Sequence, residues 1–196
     1  MTLRLLLLLV CAVFSVSAAE LHDYASKISP LIDPAKLATL KTRGAIPRVQ
    51  KIVYHLEMAR RDKVRPADVI TSALRTVGMT NALAAKLTKE AMLRNLAIAD
   101  RMGCLNAAGL DDMKQGKSPT IRAGPSVGDE LSVDHIIPFK VAPELDNVIA
   151  NLELMPLPEN ERKNDKVFKR QRQLAATFHQ AGLLSAEGYK AVIDHK

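Results

Sequence analysis

The sequence predicts an α+β chain: a helical N-terminal region, a strand–loop–strand–helix segment, and more helices at the C-terminus. Three observations predict it. Across residues 20–105, apolar side chains recur at helical spacing. Across residues 106–128 the character changes, with four glycines, two prolines and few apolar residues. From Glu130 the pattern turns strand-like in "ELSVDHIIP", and again over residues 152–155. With 47% apolar residues the chain can build a core. Aromatics are only 4% and tryptophan is missing, so aliphatic packing must dominate that core.

Residues 1–19 read as an export signal. Arg4 supplies the positive start, residues 5–16 an apolar run, and Ser17-Ala18-Ala19 a small-residue cleavage zone before Glu20. The run is short for a membrane span, and no later segment is long and apolar enough to be one. The expected location is therefore exported, periplasmic or secreted. Removing the signal takes away Arg4 and no acid, so the formal charge falls from +7 to +6. It also removes Cys11. Cys104 alone can form neither an internal disulfide nor a cysteine-rich zinc site, and reads as a small buried hydrophobe.

In the helical region Pro30, Asp33 and Pro34 punctuate the start. Val49, Ile52, Val53 and Leu56 then keep helical spacing. Pro66 opens a helix carrying Val69, Ile70, Ala73 and Leu74, and Gly78 closes it. Thr80 is expected to cap a longer Ala- and Leu-rich helix that runs to about Met102 and ends at Gly103. Residues 106–128 are expected to be a linker or long loop, and residues 129–170 a distinct core. A basic helix is expected near Pro158. Residues 171–196 read as one or two helices around Leu174, Phe178, Leu183, Leu184, Tyr189 and Ile193.

The chemistry concentrates in "GDELSVDHIIPFKVAPELDNVIANLELMPLPENERKNDK", residues 128–166. In order come Asp134-His135 with Pro138, Asp146-Asn147, Asn151-Leu152, and Asn160 to Asp165 on a helix. This order resembles the HNH endonuclease family and its ββα-metal fold, in an H-N-N version with Asn160 in the last position. The resemblance covers roughly forty residues and leaves residues 20–115 without a counterpart. It implies two short antiparallel strands and a helix, with Asp134 and Asn160 on a divalent metal ion, His135 as general base and Asn151 holding the intervening loop. The implied cofactor is Mg²⁺, with Mn²⁺ the other candidate, and the implied partner is nucleic acid, DNA before RNA.

The residue types suit that chemistry. Phosphodiester hydrolysis needs an activated water, charge neutralisation on the phosphate and help for the leaving oxygen. A divalent cation supplies the last two. A carboxylate at Asp134 and an amide oxygen at Asn160 are hard ligands that leave positions open for water and substrate. A neutral imidazole at His135 can take a proton near neutral pH. Adjacent strand residues point to opposite faces, so Asp134 and His135 are expected to flank a phosphate from two sides, with the strand ending near Ile136. Val133, Ile136 and Ile137 would anchor the strand while Asp134 and His135 stand at its open edge.

Basic residues crowd this segment. Arg162, Lys163, Lys166, Lys169, Arg170 and Arg172 face three acids across residues 158–172. Arg162, Lys163 and Lys166 are the candidate phosphate contacts, and Lys163 holds the Asn-x-x-Lys position of the resemblance. A second basic stretch, residues 41–65, has eight Lys or Arg against two acids; it either extends a nucleic-acid track or solubilises a helix pair, and the lack of interleaved aromatics for base stacking favours the helix pair. Gly128 either sets a turn before the first strand or lets a phosphate approach; the sequence leaves both open. The rival to an endonuclease is a non-catalytic basic nucleic-acid-binding protein on a degenerate HNH fold.

Overall fold

Side-chain caps and prolines divide the first half of the protein into helices in the computed structural model, which describes residues 18–195. The expected export signal falls on residues 1–19, of which 1–17 lie outside the described residues. Helix α1 spans Ala18–Ile32, and one turn, α2, spans Pro34–Leu37. The longer helices are α3 (Ile46–Arg61), α4 (Pro66–Thr76) and α5 (Ala82–Arg101). Asp33 caps α2 by accepting from Ala35 N at 3.0 Å, and proline stands in the first turn of α2, α3 and α4, where a missing N–H leaves no bond unmade. Asn81, not Thr80, caps α5: its Oδ1 accepts from Leu83 N and Ala84 N, both at 3.0 Å. No helix among the described residues is long and apolar enough to cross a membrane.

Residues 106–128 are not a plain linker. Asn106 Oδ1 accepts from Gly109 N at 3.1 Å and starts a nine-residue helix, α6, Ala107–Gln115. Leu110 and Met113, one turn apart, are buried against the helical core. A loop then leads to the sheet. Gly128 sits in it with φ 96°, its N–H bonded to Ile121 O at 3.0 Å. The backbone there needs a left-handed residue for the turn, which decides in favour of the turn reading of this glycine.

Strand β1 (Leu131–His135) pairs antiparallel with β2 (Leu152–Pro156) as the single sheet among the described residues. The register sets Val133 opposite Leu154, Asp134 opposite Glu153 and His135 opposite Leu152. Opposed residues share a face. One face therefore carries Leu131, Val133, Leu152 and Leu154, all buried in the same core as Ile28, Ile52, Leu56, Ile70 and Met92 of the helices. The helical region and the sheet are thus not separate cores. Two buried amides fasten them. Gln50 Nε2 donates to Leu131 O at 3.1 Å, and Asn95 bonds β2 twice, to Leu152 O at 3.0 Å and from Leu154 N at 2.8 Å. These bonds satisfy strand groups that a two-stranded sheet leaves unpaired.

After β2 come α7 (Leu157–Lys163), α8 (Lys169–Gln180) and α9 (Ala186–Asp194). The expected basic helix is two helices. Asn164, with φ 49°, breaks the chain out of α7 directly after Lys163, and α8 starts at Lys169. Ile137, Leu145, Val167, Phe178, Leu184 and Val192 form a second, smaller core under α8 and α9. The protein is therefore α+β and mostly helical, with one antiparallel pair of strands.

Candidate functional site

The polar face of the sheet is built by alternation. Ser132 and Asp134 point away from the helical core, toward α7. Two α7 side chains meet them. Asn160 Nδ2 donates to Ser132 Oγ at 3.1 Å and to Val133 O at 3.4 Å. Lys163, one turn further on, bonds both oxygens of Asp134, at 2.8 and 2.6 Å, and also the His135 carbonyl. Asp134 is 4% exposed. Burial pushes its carboxyl above the ordinary value, and the Lys163 ammonium opposes that rise.

His135 is the last residue of β1 and lies on the other face. Its Nε2 stands 2.8 Å from Asp146 O and 2.9 Å from Asp146 Oδ1. Both neighbours are acceptors, so Nε2 carries the proton in the neutral ring and Nδ1 is left as the basic nitrogen. Asp146 is itself held: Oδ2 accepts from Arg43 N at 2.8 Å. The adjacent Asn147 accepts from Ala45 N at 2.9 Å and donates to Lys41 O at 3.3 Å. The turn before α3 is thereby docked on the loop between the strands.

Asn151 closes that loop from inside. It is fully buried, accepts from Ile137 N at 2.8 Å, and donates to Ile137 O at 2.9 Å and Leu145 O at 3.3 Å. Its two-way bond with Ile137 fixes the chain directly after His135.

Asp134, His135 and Asn160 line one cleft of about 320 Å³, together with Arg43, Phe139 and Asp165. The sequence expectation of Asp134 and His135 at an open strand edge is corrected: both are buried, and reach the cleft from opposite faces of the strand end. Ile137 is also placed differently, in the second core and not with Val133. Of the candidate phosphate contacts, Lys163 is turned into the sheet with 12% of its side chain exposed, so it faces Asp134 rather than solvent. Arg162 and Lys166 are exposed but do not line the cleft, and Lys166 lies beyond the end of α7. Asp146 and Arg43 have no role in the sequence reading. The signal for Asp146 is its place in the motif; for Arg43, far upstream, it is only the basic character of residues 41–65, which does not single it out.

The donor set can be tested against a divalent ion. Among the described residues no three His, Cys, Asp or Glu side chains gather as a metal cluster. Asp134 offers a buried carboxylate whose single bonded cation is an ammonium. Asn160 has its Nδ2 committed to β1, which leaves Oδ1 as the unengaged atom of the amide. One carboxylate and one amide oxygen suit a hard ion that keeps most of its water, such as Mg²⁺. The residues fit, provided Lys163 gives up at least one Asp134 oxygen.

No family model, curated protein or solved structure matches this chain. The functional reading therefore rests on the residues themselves.

Proposed function

We propose that the chain is an HNH-type endonuclease that hydrolyses phosphodiester bonds in nucleic acid, DNA before RNA, with a divalent metal ion. The observation that carries this reading is one arrangement. An imidazole oriented by Asp146 and a buried carboxylate from the next residue open into a single cleft that Asn160 also lines. Two antiparallel strands followed by α7, with these residues at these places, are what the H-N-N resemblance implies.

In this reading His135 Nδ1 takes a proton from water as the water oxygen attacks phosphorus. Asp146 stabilises the imidazolium that results and keeps the ring in the required tautomer, as an orienting carboxylate does in other acid–base sites. Asp134 Oδ and Asn160 Oδ1 would hold the metal ion. That ion supplies Lewis-acid polarisation of the phosphate and charge relief for the leaving oxygen, which takes a proton from solvent. Asn151 holds residues 137–145 so that His135 cannot swing. Export, implied by residues 1–19, would place this activity outside the cytoplasm.

One observation favours a second reading. Lys163 already neutralises Asp134 through both oxygens, as would suit a binding protein on a degenerate HNH fold. A plasmid assay separates the two. The endonuclease cuts with added Mg²⁺ or Mn²⁺, and EDTA or His135→Ala abolishes cutting. The binding protein shifts DNA in a gel and cuts under none of these conditions.

A further inference from the structure

We propose that Arg43, which lies outside the strand–strand–helix segment, is the residue that grips the substrate phosphate in this cleft; the proposal rests on the phosphodiesterase reading above. Arg43 lines the cleft beside His135. Its guanidinium sits 4.8 Å from the centre of the Phe139 ring, and that ring is 5.6 Å from the His135 ring. Among the described residues it makes no ion pair and no side-chain hydrogen bond, so its five N–H donors are presented and unspent. The Phe139 ring beneath it holds the guanidinium without consuming a donor.

The backbone beneath Arg43 is made for presentation. Its φ is 58°, in the left-handed region that a residue with a Cβ enters only when neighbours hold it there. The hold is visible: Arg43 N bonds Asp146, and Gly44 N bonds Lys41 O at 2.9 Å. Gly44 leaves no room for more; an added Cβ would lie 2.8 Å from both Leu40 Cβ and Lys41 O. The same hydrogen bond from Arg43 N fixes the carboxylate that orients His135. One turn thus places a cation and an acid–base group in register.

Charge favours Arg43 as the phosphate contact. The cleft is also lined by Asp134, Glu161 and Asp165. Lys163 neutralises Asp134, and Lys140 lies 4.0 Å from Asp165. Lys140 also lines the cleft but lies toward Asp165, which leaves Arg43 as the cleft-lining cation with no carboxylate partner among the described residues. A guanidinium offers two parallel N–H bonds to the non-bridging oxygens of a phosphodiester, a geometry that a lysine cannot copy.

The test compares Arg43→Ala, Arg43→Lys and, as a charge-loss control, Arg65→Ala. Arg65 is exposed on the same basic stretch and pairs with Asp68 away from the cleft. Alanine keeps the Cβ and backbone N–H, so the turn and its bond to Asp146 survive, and thermal melts are expected to match wild type. Binding is read in the His135→Ala background with a short labelled DNA duplex. Arg43→Ala is expected to weaken it about tenfold and to flatten the slope of log affinity against log salt by about one. On plasmid, kcat/KM is expected to fall about a hundredfold with Arg43→Ala and less with Arg43→Lys. Arg65→Ala changes neither. Binding and cleavage by Arg43→Ala that match Arg65→Ala overturn the proposal. If wild type cuts nothing with Mg²⁺ or Mn²⁺, the hydrolytic reading falls. The binding arm then still decides Arg43: weakened binding supports it, and unchanged binding ends it.

Discussion

Lys163 and Asp134 form a buried ion pair in which one ammonium meets both oxygens of one carboxylate, at 2.8 and 2.6 Å. Their side chains are 12% and 5% exposed. Two desolvated charges at this distance depend on each other: removing one leaves the other uncompensated, which typically costs about 3–5 kcal/mol.

Lys163→Met keeps the aliphatic stem and deletes the charge. The expected outcome is a fall in Tm of roughly 10 °C without metal. A divalent ion bound at Asp134 would replace the missing charge. Mg²⁺ or Mn²⁺ is therefore expected to raise the Tm of Lys163→Met by more than that of wild type, because wild type must first displace its ammonium. Equal metal responses in the two proteins would remove Asp134 from the metal site.

Cys104 provides a check on the packing of the helical core against the loop that follows α6. Its thiol is fully buried, with Sγ near the Met102 and Thr120 carbonyls. Burial pushes its pKa up to about 11. A group raised in the folded state contributes stability that is complete below its unfolded pKa and lost as pH climbs through the folded one. For Cys104 that window runs from about 9 to about 11. In a Cys11→Ser protein, where Cys104 is the remaining thiol, no reaction with a disulfide reagent is expected near neutral pH until denaturant is added. The Tm is expected to decline more steeply across the window than in the matching Cys104→Ala protein.

Much of this architecture was legible from local pattern. Val49, Ile52, Val53 and Leu56 marked α3 because a three-and-four spacing survives in any helix that buries one face. The alternation in Leu131–His135 marked β1. Helix α6 was missed because its buried face amounts to Leu110 and Met113, set among glycines and charges that signal a loop. The orientation of Lys163 was hidden because α7 is two turns long and buries no residue fully, so no apolar stripe shows which side faces the sheet. The link from Arg43 to the site was hidden for a different reason. Its contact with Asp146 spans 103 positions, and nothing local to either residue records it.

Asn151 was legible only through resemblance, and its geometry makes a sharp stability prediction. Asn151→Ala would strand Ile137 N, Ile137 O and one bond to Leu145 O inside the protein. Buried backbone groups without partners cost about 1–3 kcal/mol each, partly relieved if the loop opens. The expected loss is about 3 kcal/mol in a denaturant titration, with activity falling as the loop frees His135. Asn151→Asp keeps the acceptor for Ile137 N and is expected to recover part of the stability. A loss below about 1 kcal/mol for the alanine variant would mean that the loop is held by its apolar contacts in the second core instead.

Asp146 is where the fold and the proposed chemistry meet, and its two functions can be separated. One oxygen faces His135 Nε2 and the other accepts from Arg43 N. Asp146→Asn has one oxygen and one NH₂. With that oxygen accepting from Arg43 N, the Asp146 backbone carbonyl still accepts from Nε2–H at 2.8 Å and keeps the basic lone pair on Nδ1; what is lost is the negative charge that stabilises the imidazolium formed when Nδ1 takes a proton from water. Binding then persists while the base is weakened. The expected signature is a fall in kcat of about a hundredfold or more, with KM and DNA affinity near wild type. Asp146→Ala removes both contacts and frees the turn that carries Arg43, so affinity is expected to fall along with kcat. Kinetics of the two variants on plasmid, with binding measured alongside, check this. A kcat for Asp146→Asn near that of wild type would show that His135 is not held as a base by this carboxylate.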